Sequence, residues 1–197
     1  MWDLIQRLFA LLLLIVISPA LVLLFIVVKL ESKGPFIFQQ KRAGKGKKPF
    51  VMYKIRSMVL GAEALKKKYA HLNEANGPVF KISNDPRFTR IGKTLAYFAI
   101  DEAPQLINVI KGEMALVGPR PLPMSEAKRI PKKYQDRFKV LPGITSLWIV
   151  RGAHELAFEQ WMGLDLDYVN QRNFFLDTKI LLETFWLIGR GAVKRSS

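Results

Sequence analysis

The chain has 197 residues, room for one globular domain beside an apolar segment, and its lack of cysteine excludes a disulfide framework, a thiolate zinc site and a cysteine nucleophile. Two histidines, His71 and His154, leave little material for a histidine-rich metal centre or a serine–histidine relay. Lysine and arginine number 31 against 16 acidic residues, and the resulting net charge of +15 exceeds what solubility requires, which points to a polyanionic partner: nucleic acid, anionic lipid or a phosphorylated ligand.

Residues 8–28 form an uncharged run of about 21 residues, which as a helix would extend ~31 Å, one hydrocarbon thickness. The run is longer than a signal-peptide core and leads into Lys29-Leu30-Glu31-Ser32-Lys33 without a cleavage site, so it reads as a membrane segment. Ser18-Pro19 interrupts it, and proline removes a helical hydrogen bond and bends the axis, so the segment can turn back. The following flank carries Lys29, Lys33, Lys41, Arg42, Lys45, Lys47 and Lys48 against Arg7 beside Asp3 on the other side, which places the globular part on the cytoplasmic face. Charge counting leaves a full span and a re-entrant hairpin both open.

Beyond the membrane segment, 36–40 and 50–55 are expected as short strands around the basic turn Arg42-Ala43-Gly44-Lys45-Gly46-Lys47. Residues 62–75 read as a polar helix ending near Asn76-Gly77-Pro78. Helical patterns follow at 93–98, 104–111, 124–138, 156–173 and 177–187, with strand candidates at 114–117 and 144–150. The fold class is therefore α+β and helix-rich, with residues 1–30 as the membrane segment and 31–197 as the cytoplasmic domain. Near the end, Phe174, Phe175, Phe185 and Trp186 with Arg190, Lys194 and Arg195 suit either an anionic bilayer interface or, for the aromatics, a packed core.

The chemistry concentrates at Asp101-Glu102-Ala103-Pro104-Gln105-Leu106. Proline is accepted only in a helix's first turn, so the two carboxylates stand at or just before a helix start, where free amides and the helix dipole favour negative charge. An ionised aspartate there can attack phosphorus while the adjacent glutamate holds magnesium; equally, the pair can be a helix cap. Lys54 and Arg56 alternate on a strand pattern and so present two cations on one face, and Arg120 is held between Pro119 and Pro121 on a stiffened backbone. Lysine clusters such as Lys66-Lys67-Lys68 come with no nucleic-acid-binding motif, and nucleic acid is not expected as a partner.

An ordered series of motifs then resembles the monotopic phosphoglycosyl transferases, the bacterial sugar transferase family. It comprises the Ser18-Pro19 break, Tyr53-Lys54-Ile55-Arg56-Ser57-Met58, Asn76-Gly77-Pro78-Val79-Phe80-Lys81-Ile82, Asn84-Asp85-Pro86-Arg87, Asp101-Glu102 with Pro104-Gln105-Leu106, Gly118-Pro119-Arg120-Pro121 and Pro142-Gly143-Ile144-Thr145. The resemblance implies a re-entrant helix turning at Ser18-Pro19 and a cytoplasmic catalytic domain at the bacterial inner membrane. It implies Asp101 as the nucleophile that takes a sugar phosphate from a UDP-sugar and releases UMP, Asp101 and Glu102 as the magnesium site, and undecaprenyl phosphate as the acceptor. Lys54, Arg56 and Arg120 are the expected phosphate contacts. The sequence departs from the family pattern at Ala96, where an arginine is usual, and along 146–153, where Ile149 and Ala153 replace usual residues; Arg151 stands nearby as a substitute cation. These departures keep a second reading open, a catalytically weakened member serving as a membrane scaffold for glycan assembly enzymes. The sequence leaves a homodimer neither required nor excluded.

Overall fold

A computed structural model describes residues 2–152 and 156–190; Ala153, Lys194 and Arg195 lie outside the described residues. The apolar segment is one helix, α1 (Trp2–Glu31), which continues through Pro19. Proline at 19 leaves the carbonyl of Ile15, four residues back, without its helical donor. The Ser18 hydroxyl supplies one, donating to Ile15 O at 2.8 Å.

Both ends of α1 are fastened to the rest of the chain. At the N-terminal end the Trp2 indole donates to Asp177 at 2.8 Å, Ala10 is buried in the main core, and Gln6, 4% exposed, accepts the Leu116 amide at 2.8 Å. At the C-terminal end Val28 packs with Ile55 and Leu95, and Glu31 Oε1 accepts the Ile91 amide at 2.7 Å. Between these anchors Leu12, Ile15, Val16, Val22 and Leu23 are exposed, an apolar surface that no described residue covers.

The expected first hairpin forms from β1 (Ile37–Ala43) and β2 (Pro49–Ile55), antiparallel with Ile37 opposite Ile55 and Ala43 opposite Pro49. A turn at Lys45–Lys47 joins them, with Gly46 at φ 63°, a left-handed conformation open to glycine. The polar segment that follows is less helical than its composition suggests. Only α2 (Ala62–Leu65) and a single turn at Ala70–Leu72 form, because the intervening lysines repel one another and no apolar stripe docks the segment onto a core. Helix α3 (Arg90–Tyr97) starts at a Thr89 cap whose hydroxyl accepts the Gly92 amide at 2.9 Å.

The turn Ile100–Glu102 leads into α4 (Gln105–Lys111). Asn108, wholly buried on α4, accepts the Tyr53 amide and donates to the Val51 carbonyl and Glu113, which ties α4 to β2. Strand β3 (Ala115–Val117) pairs in parallel with β4 (Gly143–Thr145), and between them lie α5 (Met124–Ala127) and a tight turn of helix at Lys132–Lys139. The single helix expected at 124–138 is thus split, since Pro131 cannot sit inside it. The strand expected at 144–150 ends at Thr145, and Leu147–Val150 turns into α6: a short apolar run does not by periodicity separate strand from helix, and here Trp148 and Ile149 are buried from a helical turn.

The chain closes with α7 (Phe158–Gln171) and α8 (Phe174–Gly189). The Tyr168 hydroxyl lies 2.8 Å from Asp177 Oδ1 and 2.9 Å from the Val117 carbonyl, so α7, α8 and β3 meet at one phenol. Burial pushes the Asp177 carboxyl up, against the pull of its donors Trp2 and Tyr168. On the outer side of α8 Phe174, Phe175, Phe185 and Trp186 are exposed, with the Arg190 guanidinium 3.9 Å over the Trp186 ring.

Two glycines separate close packing from simple backbone freedom. A Cβ at Gly143 would come within 2.0 Å of Gly118 N, whereas one at Gly163, inside α7, would meet nothing within 4 Å. Gly143→Ala is expected to cost about 3 kcal/mol or more, because backbone and not a movable side chain stands in the way. Gly163→Ala should add about 0.5–1 kcal/mol by removing unfolded-state freedom. Thermal unfolding of both variants in detergent checks the opposite signs.

Candidate active site

Three segments far apart in sequence build the site. Strand β2 brings Lys54. The turn after α3 brings Asp101 and Glu102, after Ala99 reverses the chain in the left-handed region at φ 58°. The loop after β3 brings Arg120. Lys54 Nζ lies 3.1 Å from Glu102 Oε1 and 3.5 Å from Asp101 Oδ2, and Arg120 Nη1 lies 3.3 Å from Glu102 Oε1. The carboxylates stand just before α4 as expected from Pro104, but they are buried, 4% and 3% exposed, and not at an open helix start. Two adjacent carboxylates so far from water need cations, and Lys54 and Arg120 supply them.

Asp101 lines a cavity of about 610 Å³, a volume suited to a small-molecule ligand. Lys54, Arg56 and Arg120 share that wall, while Glu102 lies on an adjoining recess with Lys54 and Arg120. Arg56 directs both terminal nitrogens at the backbone just beyond α1, donating to the Lys33 carbonyl at 2.6 Å and the Ser32 carbonyl at 2.8 Å. Arg151 ends α6 in an exposed position outside the cavity wall. Ala96 is buried in α3, and Ile149 is buried in α6.

Other residues of the wall carry no local sequence signal. Arg42, Glu63, Lys66, Glu126, Trp148 and Trp161 all line the cavity. Lys66 Nζ pairs with Glu126 at 3.1 Å and sits 4.8 Å over the Phe80 ring; the Trp148 and Trp161 rings face each other at 4.8 Å. They come from α2, α5, α6, α7 and the end of β1, and only the tertiary fold joins them.

Behind Arg120, Arg137 donates to Asp165 through Nε and Nη2, at 2.9 and 2.7 Å, and to the Arg120 carbonyl at 2.9 Å. Burial pushes the Asp165 carboxyl up, opposed chiefly by the Arg137 charge.

With this geometry in place, comparison with known proteins is specific. The sequence pattern described as bacterial sugar transferase matches residues 1–191. The chain belongs to the bacterial sugar transferase family. It is 39% identical over 176 residues to a galactosyl transferase CpsE of Streptococcus agalactiae serotype III, covering 87% of this chain and 39% of that protein. It is 34% identical over 183 residues to an undecaprenyl-phosphate galactose phosphotransferase of Salmonella typhimurium, covering 89% of this chain and 37% of that one. A UDP-glucose:undecaprenyl-phosphate glucose-1-phosphate transferase of Caulobacter vibrioides is 38% identical over 178 residues, 85% of this chain and 61% of its own length. The chain thus spans about two-fifths of the length of the first two of these relatives.

The Arg137–Asp165 pair supports the Arg120 loop from inside the core. Asp165→Leu strands the Arg137 charge and should cost about 3–5 kcal/mol. The double variant Arg137→Met with Asp165→Leu should regain most of that stability, while leaving the Arg120 carbonyl without its donor. Thermal midpoints of the single and double variants in detergent measure the difference.

Proposed function

We propose that the chain transfers a sugar 1-phosphate from a UDP-sugar to undecaprenyl phosphate, through a covalent phospho-sugar on Asp101, as the initiating step of surface glycan or glycoconjugate synthesis. The observation that carries the reading is the Asp101 carboxylate in the wall of a ligand-sized cavity, beside the paired cations Lys54 and Arg120. The names of the relatives, galactose and glucose phosphotransferases acting with undecaprenyl phosphate, supply the substrate class.

In the first half-reaction an Asp101 oxygen bonds to the phosphorus that bears the sugar, and the bond from that phosphorus to the UMP oxygen breaks. Lys54 and Arg120 offset the negative charge on the phosphoryl oxygens as it is redistributed. In the second, an oxygen of undecaprenyl phosphate attacks the same phosphorus, the bond to Asp101 breaks and the carboxylate is restored. Asp101 and Glu102 are the residues that would hold magnesium. The two adjacent carboxylates are hard oxygen donors, and a site built on one or two carboxylates with phosphate and water in the other positions is the habit of magnesium. When bound, the ion would neutralise diphosphate charge.

For the membrane, we infer a re-entrant α1 with the domain on the cytoplasmic face. A helix crossing the bilayer carries one end about 30 Å from the other side's surface. Here Gln6 and Glu31, near opposite ends, both bond to the same domain. One face of the stretch between them packs on it through Leu13, Leu14, Ile17, Leu21 and Leu24, while the face with Leu12, Ile15, Val16, Val22 and Leu23 is exposed. The exposed aromatics of α8 beside Arg190 suit contact with anionic lipid.

Two experiments test this reading. With UDP-sugar and magnesium but no lipid, the wild-type chain should release UMP up to one equivalent and gain the mass of a sugar phosphate; Asp101→Asn should do neither. An unmodified chain that turns over once undecaprenyl phosphate is added would overturn covalent catalysis. For topology, Asp3→Cys gives a single thiol in a cysteine-free chain, and it should resist an impermeant maleimide applied outside spheroplasts yet react after lysis. Labelling from outside would exclude the hairpin.

A further inference from the structure

Arg42 closes β1, where its backbone bridges to Pro123 and its Nη1 donates to the Pro121 carbonyl at 3.0 Å. A guanidinium carries five N–H donors, and this is the one hydrogen bond that its side chain makes among the described residues. Its Nε is buried with no partner, and no described carboxylate lies within ion-pair distance. Yet the side chain lines both the cavity that contains Asp101 and the recess that contains Glu102, Lys54 and Arg120. Burial, then the like charge of Arg120, lower its pKa to about 10, while Glu126, Glu63 and Glu102 act in the opposite sense. Arg42 is therefore still a cation at neutral pH, held beside a second guanidinium and short of acceptors.

Two guanidiniums side by side repel unless an anion lies between them, and a diphosphate has enough charge and acceptor oxygens for both. The bond from Arg42 to Pro121 ties the Arg42 guanidinium to the backbone next to Arg120 before any ligand arrives. Of the other two arginines of the wall, Arg56 has its terminal nitrogens committed to the Ser32 and Lys33 carbonyls, and Arg87 donates to the Asp85 carboxylate and the Ala62 carbonyl.

We propose that Arg42 and Arg120 together form the diphosphate clamp of the donor site, with Arg42 supplying the fork that grips the diphosphate of the nucleotide sugar. This rests on the donor being a nucleoside diphosphate sugar, as proposed above. Arg42 is a binding residue in this assignment, and its contribution is to the diphosphate and not to the nucleoside.

The test is calorimetric binding to the full chain in detergent with magnesium, using UDP, UMP and pyrophosphate as probes. Arg42→Gln should weaken UDP and pyrophosphate at least tenfold and UMP by much less, so that the preference for UDP over UMP largely disappears. Arg42→Lys, which keeps a charge and a donor for Pro121 but loses the planar fork, should fall between the two and keeps the test usable should Arg42→Gln unfold. Equal weakening of UDP and UMP would mark a general loss of the pocket and overturn the clamp, as would unchanged UDP affinity in a folded variant. If the wild-type chain binds pyrophosphate and UDP but turns over no UDP-sugar, the catalytic reading fails while the differential loss on Arg42→Gln still supports the clamp. Failure of the wild-type chain to bind any of the three would overturn both.

Discussion

Two carboxylates adjacent in sequence and almost closed to water cannot remain together without cations, and this demand organises the molecule around Asp101 and Glu102. Lys54 answers it from β2 and Arg120 from the loop after β3. Each of these then has to be held. Asn108 ties β2 to α4, the helix that follows the carboxylates. Arg137, charged and buried in turn, holds the Arg120 carbonyl and needs Asp165. The electrostatic requirement of the site is passed backwards through a series of buried polar groups, each paired with the next, until it reaches elements that lie outside the cavity altogether.

Followed in both directions, that series reaches the two ends of the apolar helix. On one side the cation-bearing strand continues to Arg56, whose guanidinium holds the carbonyls of Ser32 and Lys33 just beyond α1. On the other, β3 is gripped by the Tyr168 hydroxyl, which also meets Asp177, the acceptor of the Trp2 indole at the start of α1. The helix and the site are thus parts of one bonded circuit. An anchor that served only to retain the domain at a membrane would not need its two ends built into the supports of Lys54 and Arg120.

The residues that were legible in the sequence are those whose chemistry is local. Asp101 and Glu102 announce themselves by adjacency and by Pro104, Lys54 and Arg56 by strand alternation, and Arg120 by its flanking prolines. Arg42 was legible only as charge, because what distinguishes it, a shortage of acceptors beside Arg120, arises where β1 meets Pro121 and has no counterpart in spacing. The alternation of Lys54 and Arg56 put both on one face, and both line the cavity, yet it could not tell that the Arg56 fork is spent on backbone carbonyls. Helix boundaries failed where tertiary packing or chain breaks decide: at 62–75, where no core receives the segment, and at Pro131. The aromatic residues of α8 were equally compatible with core and interface until the fold left them uncovered.

The bond between Gln6 and the Leu116 amide has a consequence for how the chain is made. The glutamine leaves the ribosome 110 residues before the amide that it accepts, so it must wait with its carbonyl unserved by its final donor while most of the domain is still being synthesised. During that interval the face of α1 that later packs on the domain, with Leu13, Leu14 and Ile17, also lacks its final partners. Strand β3 would then complete its hydrogen bonding against a helix synthesised long before it. A chain released before that moment would expose the outward face of the apolar helix and an unsatisfied β3 amide together.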